Sequence, residues 1–184
     1  MNLTRMNLAL AITAAVAACA GAACADPAFD TFRQLCLDTG ADFPAVASAA
    51  DAGGWKPVDA PVSLVGGVVP SDKLSRGKSI AGADANLAAW RGKTASNVTV
   101  ADCAVQLGRG SFADALAGVQ GWTGFAPQDN KDQKAIFRFT DVAGAHKSVA
   151  QAEYESAAAG SGMEIVTVTG GSGGINLDLL KIKK

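Results

Sequence analysis

The sequence is poor in the residues from which most catalytic and metal sites are built. Its 184 residues include one histidine, four cysteines and one tyrosine. A zinc site needs several cysteine or histidine ligands close together, and no such cluster is present. His146 could form a nucleophilic pair with Cys103 only if that cysteine were a free thiolate. We therefore predict no catalytic residue, no metal and no cofactor, and a protein that is not an enzyme.

Clusters of like charge are also missing. The chain has 16 basic and 17 acidic residues, which gives a net charge of −1, and they are scattered along it. Binding to a nucleic acid normally requires a basic face. The composition therefore predicts no nucleic-acid partner.

A glycine motif, "GRGSFA" at 108–113, matches part of the dinucleotide-binding fingerprint. That fold also needs a second parallel strand that ends in an acidic residue about 20 residues further on. The polar segment "GFAPQDNKDQ" occupies this place, so we interpret the motif as a tight turn before a helix. The start of that helix, at Arg109 and Ser111, could bind a small anion.

Only one long uncharged run is present, at residues 6–25. Arg5 precedes it, its first half is apolar, and small residues at Ala23 and Ala25 end it. This pattern is typical of a secretory signal peptide that is cleaved after Ala25. We therefore predict a periplasmic or secreted protein, with a signal peptide at 1–25 and a single domain at 26–184.

Two other interpretations of the N-terminus remain open. The sequence "VAAC" at 16–19 resembles a lipobox, in which case a lipid on Cys19 would anchor the protein to a membrane. The run of twenty uncharged residues could also be retained as an anchor, although alanine and glycine dominate its second half.

The cysteines favour simple cleavage. Loss of residues 1–25 removes Cys19 and Cys24 and leaves Cys36 and Cys103 as an even pair. Helical spacing places Cys36 on a buried stripe, and strand alternation places Cys103 on an inward face. Two inward cysteines in an exported protein predict one disulfide bond.

The patterning predicts an α+β fold. Asp26 and Asp42 are candidate helix caps and define an N-terminal helical hairpin, whereas the proline- and glycine-rich segment 56–82 is predicted to be a loop. Alternating segments then predict an antiparallel sheet beneath the hairpin, with one further helix after Ser111 between the groups of strands. These strands are "NLAAWRG", "VTVADCAVQL", "KAIFRFT", "VAQAEYES", "MEIVTVT" and "INLDLLKIK".

Three tryptophans, Trp55, Trp90 and Trp122, adjoin glycines or turns, where a large side chain either closes the edge of a core or lines a cleft. We name Trp55, Trp122 and Phe125 as the candidate groove residues. If they line a groove, an apolar small molecule is the natural ligand.

The order of these features is similar to that of uncharacterised small exported proteins of Gram-negative bacteria. The shared features are a helix with "F..F..LC", a second helix that ends in "AADAGGW", and then "W.GK", "DCAV" and "GRGSF". The resemblance implies a periplasmic location and a shared fold, and it implies no catalytic residue.

Three functional hypotheses follow. We expect first a non-catalytic periplasmic binding or accessory protein, whose partner is an envelope protein or a small ligand. The second is a carrier of a small apolar ligand such as a lipid, held between the helical hairpin and the sheet. The third is a hydrolase or thiol enzyme. Contact with a membrane is expected only if Cys19 is lipidated.

Overall fold

The computed structural model describes residues 26–160 and 162–183. The predicted signal peptide, its cleavage site and the alternative lipid site at Cys19 lie outside these residues. The helices are α1 (Pro27–Phe32), which continues as one π-helical turn (Arg33–Leu37), α2 (Phe43–Ala52), α3 (Phe112–Thr123) and α4 (Tyr154–Ala159). The strands are β1 (Lys56–Pro57), β2 (Val68–Ile80), β3 (Ala83–Thr94), β4 (Thr99–Leu107), β5 (Asp129–Lys131), β6 (Lys134–Val142), β7 (Ala145–Ser148), β8 (Met163–Gly171) and β9 (Gly174–Lys183).

These strands form one antiparallel sheet of nine strands. The order across it is β1-β2-β3-β4-β9-β8-β6-β5, and β7 pairs with the end of β6. The predicted α+β class with an antiparallel sheet is therefore confirmed. No helix within the described residues has the length and apolarity needed to cross a membrane.

The segment predicted as a loop contains the longest strand. Val68–Ile80 form β2, which pairs with β3 along its length and has a bulge between Pro70 and Asp72. The bulge accommodates the proline, and Gly77 stays in register because pairing uses only backbone groups. The prediction of a loop from the prolines and glycines is therefore wrong for 68–80. The irregular part consists of residues 58–67 and the turn at 81–82.

The expected N-terminal helical hairpin is not supported. α1 packs on β4, β9 and α3, whereas α2 lies over β2 and β3 and also contacts the π-helical turn that follows α1. Gly118 explains the contact between α1 and α3, because a Cβ at this position would lie 2.4 Å from the ring of Phe29. Each helix thus uses its apolar stripe against the sheet, and α1 takes α3 as its helical neighbour.

The segment "VAQAEYES" is also not a strand. Gln151–Glu153 form a 3₁₀ turn that leads into α4. The Glu153 side chain accepts a hydrogen bond from the backbone N–H of Ala150 at 3.3 Å. The alternation of alanine with polar residues resembled a half-buried strand, but local capping decides the structure here.

The helices cover one face of the sheet and enclose the main core. Phe32, Val105, Phe137 and Leu177 are completely buried in it. Cys36, in the π-helical turn, and Cys103, in the middle of β4, form the predicted disulfide bond with a Cα–Cα distance of 5.5 Å. The bond fastens the N-terminal helices to the centre of the sheet.

We predict that loss of this disulfide strongly destabilises the protein. The two cysteines are 67 residues apart, and the chain-entropy model gives a loss of about 4 kcal/mol for a loop of this size. Urea unfolding of the C36A/C103A variant, followed by circular dichroism, measures this loss. Reductant should lower the midpoint of the wild-type protein but not that of the variant. Equal stability of the two proteins would contradict the prediction.

Candidate functional site

The face of the sheet opposite the helices is open and partly polar. Strand alternation directs Leu87, Val105 and Leu177 into the helix-covered core. Their neighbours in sequence face the other side, and they include Asn86, Gln106, Asn176 and Asp178. The side chains on this open face do not belong to the helix-covered core.

Residues 58–66, which we call the strap, cross the open face. The Ser75 hydroxyl donates a hydrogen bond to the carbonyl oxygen of Ala60 at 2.9 Å. The Trp90 indole N–H donates to the carbonyl oxygen of Ser63, also at 2.9 Å. Trp90 is completely buried, and Val68 and Val100 are buried beside it in a second small apolar cluster. These hydrogen bonds attach the strap to strands β2 and β3.

A pocket of about 320 Å³ lies between the strap and strands β2, β3, β4 and β9. This volume is at the lower end of the range for small-molecule sites. Its lining carries hydroxyl, amide and carboxyl groups over small apolar side chains. The polar residues that line it include Ser75, Asn86, Asp102, Gln106, Asn176 and Asp178.

Two of these residues form a buried carboxyl pair. On the neighbouring strands β4 and β9, Asp102 is in register with Leu180 and Asp178 with Ala104. The two aspartates are thus diagonal neighbours on one face. Asp102 is only 8% exposed, and Asp178 is partly buried. We call them the acid pair.

Burial and proximity determine the protonation of the acid pair. Burial is the largest cause that raises the pKa of Asp102, to about 9, and repulsion by Asp178 and a hydrogen bond to it act in the same direction. Burial also raises the pKa of Asp178, and the hydrogen bond from Asp102 opposes this. At neutral pH, Asp102 is therefore protonated and donates a hydrogen bond to Asp178.

One oxygen of the pair has no partner. Asp178 Oδ1 is buried and accepts no hydrogen bond from any described residue. A buried acceptor without a partner is unfavourable by roughly 1–3 kcal/mol, more if it is charged. A hydrogen-bond donor bound in the pocket would remove this penalty.

The acid pair can act in two ways. Asp178 Oδ1 is free to accept a hydrogen bond, so the pair can bind a ligand that presents an ammonium group or other donors. A protonated and an ionised carboxyl side by side can also serve as a general acid and a general base. Arg76 also lines the pocket, but its guanidinium Nε lies 3.6 Å from Asp51 on α2.

The aromatic residues predicted as a groove rim lie on the other side of the sheet. Trp55 is 4% exposed and belongs to the helix-covered core. Trp122 stacks on His146 with a ring-centroid distance of 4.1 Å, and Phe125 packs against Phe137 and Phe139. These contacts place Trp55, Trp122 and Phe125 in the packing of the core, away from the acid pair.

The proposed anion site and the pocket are also separate. Arg109 is exposed in the turn after β4, and the Ser111 hydroxyl accepts a hydrogen bond from the backbone N–H of Asp114 as the cap of α3. Neither residue lines the pocket with the acid pair. His146 is remote from Cys103, whose sulfur is used in the disulfide.

Ser75 and Lys78 have the S-x-x-K spacing of serine–lysine hydrolases, but the structure separates them. Both residues belong to β2, where positions three apart point to opposite faces. Ser75 lines the pocket, whereas the Lys78 ammonium donates to the carbonyl oxygen of Gly53 at 2.7 Å. The lysine therefore cannot activate the serine.

Sequence reasoning missed the acid pair. Asp102 and Asp178 each lie within an apolar strand segment, "VADCAV" and "NLDLL". Aspartate is depleted in strands, so its presence in the middle of two strands was an available signal. The pairing of β4 with β9, which brings the two residues together, follows from the topology alone.

Comparison with known proteins adds no relative. No protein-family model, no curated protein and no solved structure matches this chain.

We predict that stability falls as the pH rises, because of the acid pair. The pKa of Asp102 is 3.8 in an unfolded chain and about 9 in the folded protein, so the folded state holds the extra proton between these values. The contribution is complete below the lower value and is lost as the pH approaches the upper one, with a slope of up to about 1.4 kcal/mol per pH unit.

The D102N variant tests this linkage, because asparagine imitates the neutral acid and can still donate to Asp178. Urea unfolding across the pH range should give a flatter profile for D102N than for the wild-type protein, and greater stability at alkaline pH. D132N is the matched control, since Asp132 is an exposed turn residue. Parallel profiles for wild type and D102N would contradict the prediction.

Proposed function

We propose that this protein is a non-catalytic binding protein of the bacterial envelope. Its ligand is a small polar molecule that carries an amine and occupies the pocket between the strap and the sheet. The observation that carries the proposal is the unpartnered, buried Oδ1 of Asp178 in this pocket. We infer that Asp178 carries the negative charge of the acid pair. An ammonium group supplies both the missing donor and the opposite charge.

The location is part of the same proposal. The N-terminal pattern of Arg5, an apolar run and small residues before Asp26 supports export. A disulfide bond persists in an oxidising compartment, which agrees with a periplasmic location. The resemblance to exported proteins of Gram-negative bacteria points in the same direction, and lipidation at Cys19 remains the alternative.

Thermal unfolding in the presence of simple amines tests the proposed ligand class. Ethanolamine and putrescine should raise the melting temperature of the wild-type protein, because a ligand at about 100 times its Kd stabilises the folded state by about 2.7 kcal/mol. D102N should respond in the same way, since Asp178 stays ionised. The double variant D102N/D178N has no carboxylate in the pocket and should not respond.

D132N is again the control and should behave like the wild-type protein. Native mass spectrometry of the protein purified from the periplasm would show whether a ligand of this class accompanies it. Equal stabilisation of the wild-type protein and the double variant by amines would contradict the proposal.

A hydrolase is the second candidate, and the hydrogen-bonded pair of buried carboxyl groups is the observation that favours it. In this case Asp102 would act as the general acid and Asp178 as the general base. The D102N variant separates the two functions, because it keeps the charge but removes the acid. Turnover of chromogenic glycoside or ester substrates that is lost in D102N, while amine binding persists, would establish the hydrolase. No turnover by the wild-type protein would leave binding as the function.

A carrier of an apolar ligand receives less support from the packing. The space between the helices and the sheet, where such a ligand was expected, is filled by side chains that include Phe32, Leu35 and Leu179, all at most 2% exposed. The pocket over the acid pair is lined by polar groups and does not suit an acyl chain.

A further inference from the structure

The large aliphatic side chains that remain exposed are concentrated at one end of the sheet. Among the described residues, five large apolar side chains are exposed, and Leu64, Val65, Val69 and Val142 lie at the same end. The strand register places the start of β2, the end of β3, the start of β4, the end of β9 and the start of β8 at this end of the sheet. The pairs that show it are Val68 with Thr94, Thr99 with Lys93 and Lys183, and Met163 with Ile182. The fifth, Val58, is next to Gly77, away from this end.

An apolar groove of about 510 Å³ opens at this end. Its lining includes Val69, Pro70, Gly92 and Thr99, with Arg91 and Lys93 beside them. The groove depends on Gly92, because a Cβ there would lie 2.3 Å from the carbonyl oxygen of Val69. The bulge at Pro70 and the glycine opposite it thus shape the surface next to the exposed valine.

Positive charge accompanies the apolar residues on the β2–β3–β9 side of this end. Lys93 and Lys183 are exposed, and neither forms an ion pair with a described residue. The carboxylates on this side are neutralised, since Asp72 pairs with Arg91 and Glu164 lies 2.8 Å from Lys181. We call Leu64, Val65, Val69, Lys93 and Lys183 the aliphatic end.

On the β6–β7 side of the same end, acidic and basic side chains are mixed. Around Val142, Lys147 lies with the acidic residue Glu153, and Asp141 lines a small pocket together with Lys181 and Lys183. Near β2 and β3, by contrast, the exposed aliphatic side chains lie beside Lys93, and Asp72 is paired with Arg91. Since aliphatic side chains enter the acyl region while lysines remain among anionic headgroups, this combination is suited to a membrane surface.

We propose that the aliphatic end docks on the surface of an anionic phospholipid bilayer. Leu64, Val65 and Val69 insert among the lipids, and Lys93 and Lys183 contact the phosphates. Docking of this kind needs no lipid on Cys19. It leaves the acid pair accessible, because the pocket lies on the open face and not at the end of the sheet.

Vesicle sedimentation tests the proposal with the full chain. Phosphatidylcholine vesicles that contain phosphatidylglycerol should bind the wild-type protein, pure phosphatidylcholine vesicles should bind it much less, and added salt should weaken binding. The K93Q/K183Q variant should bind about twentyfold more weakly, since each lysine near an anionic surface accounts for roughly fivefold in affinity. L64S/V65S should lose about tenfold through lost apolar contact.

Matched controls come from the same chain. K131Q removes an exposed lysine at the opposite end of the sheet, and V58S removes the exposed valine outside the aliphatic end; both should bind like the wild-type protein. All variants share residues 1–25, so differences between them report on the aliphatic end. Thermal unfolding of each variant verifies its fold.

Two results would overturn the proposal. One is binding that is equal for both kinds of vesicle or unchanged in K93Q/K183Q and L64S/V65S. The other is no vesicle binding, with dimerisation that L64S/V65S abolishes, which would assign this surface to a second copy of the chain.

Discussion

Asp102 and Cys103 are consecutive residues of β4, and the two-residue period of a strand sends their side chains to opposite faces of the sheet. Cys103 is bonded to Cys36 inside the helix-covered core, so the orientation of β4 is fixed covalently. Asp102 must then face the strap. A slip of one residue would place a carboxyl group in the apolar core, and the disulfide prevents it.

The acid pair is a feature that the fold itself does not require. Two neutral residues at these positions would preserve the strand pairing and avoid both the buried charge and the unpartnered oxygen of Asp178. Groups that lower stability in this way are typical of functional sites. The strap supports the same conclusion. The hydrogen bonds from Ser75 and Trp90 hold the strap above the sheet, and the pocket lies between the two.

Local signals in the sequence predicted much of the fold. Sequence patterns predicted the helix caps at Asp26, Asp42 and Ser111, the inward positions of the two cysteines and most of the strands. Each of these features depends on neighbours in the chain. Two of the errors arose where tertiary contacts override local preference. β2 forms despite Pro70 and Gly77 because β3 supplies a partner along its whole length, and α1 finds its neighbour in α3 because Gly118 allows close approach.

The site was harder to predict, for a related reason. Trp55, Trp122 and Phe125 stand out in the sequence because of their size, yet size alone places them in the core. Asp102 and Asp178 are 76 positions apart, and only the antiparallel pairing of β4 with β9 makes them neighbours. Their raised pKa values result from burial and proximity, neither of which a sequence displays.

The central claim, that Asp102 is protonated at neutral pH and donates a hydrogen bond to Asp178, can be observed directly. Carbon-13 NMR of the carboxyl groups of Asp102 and Asp178, assigned with the D102N and D178N variants, follows each titration across the pH range. The account predicts that Asp102 titrates near 9 and that Asp178 also titrates above the ordinary value of 3.8. Ordinary titration of both groups near 3.8 would contradict it.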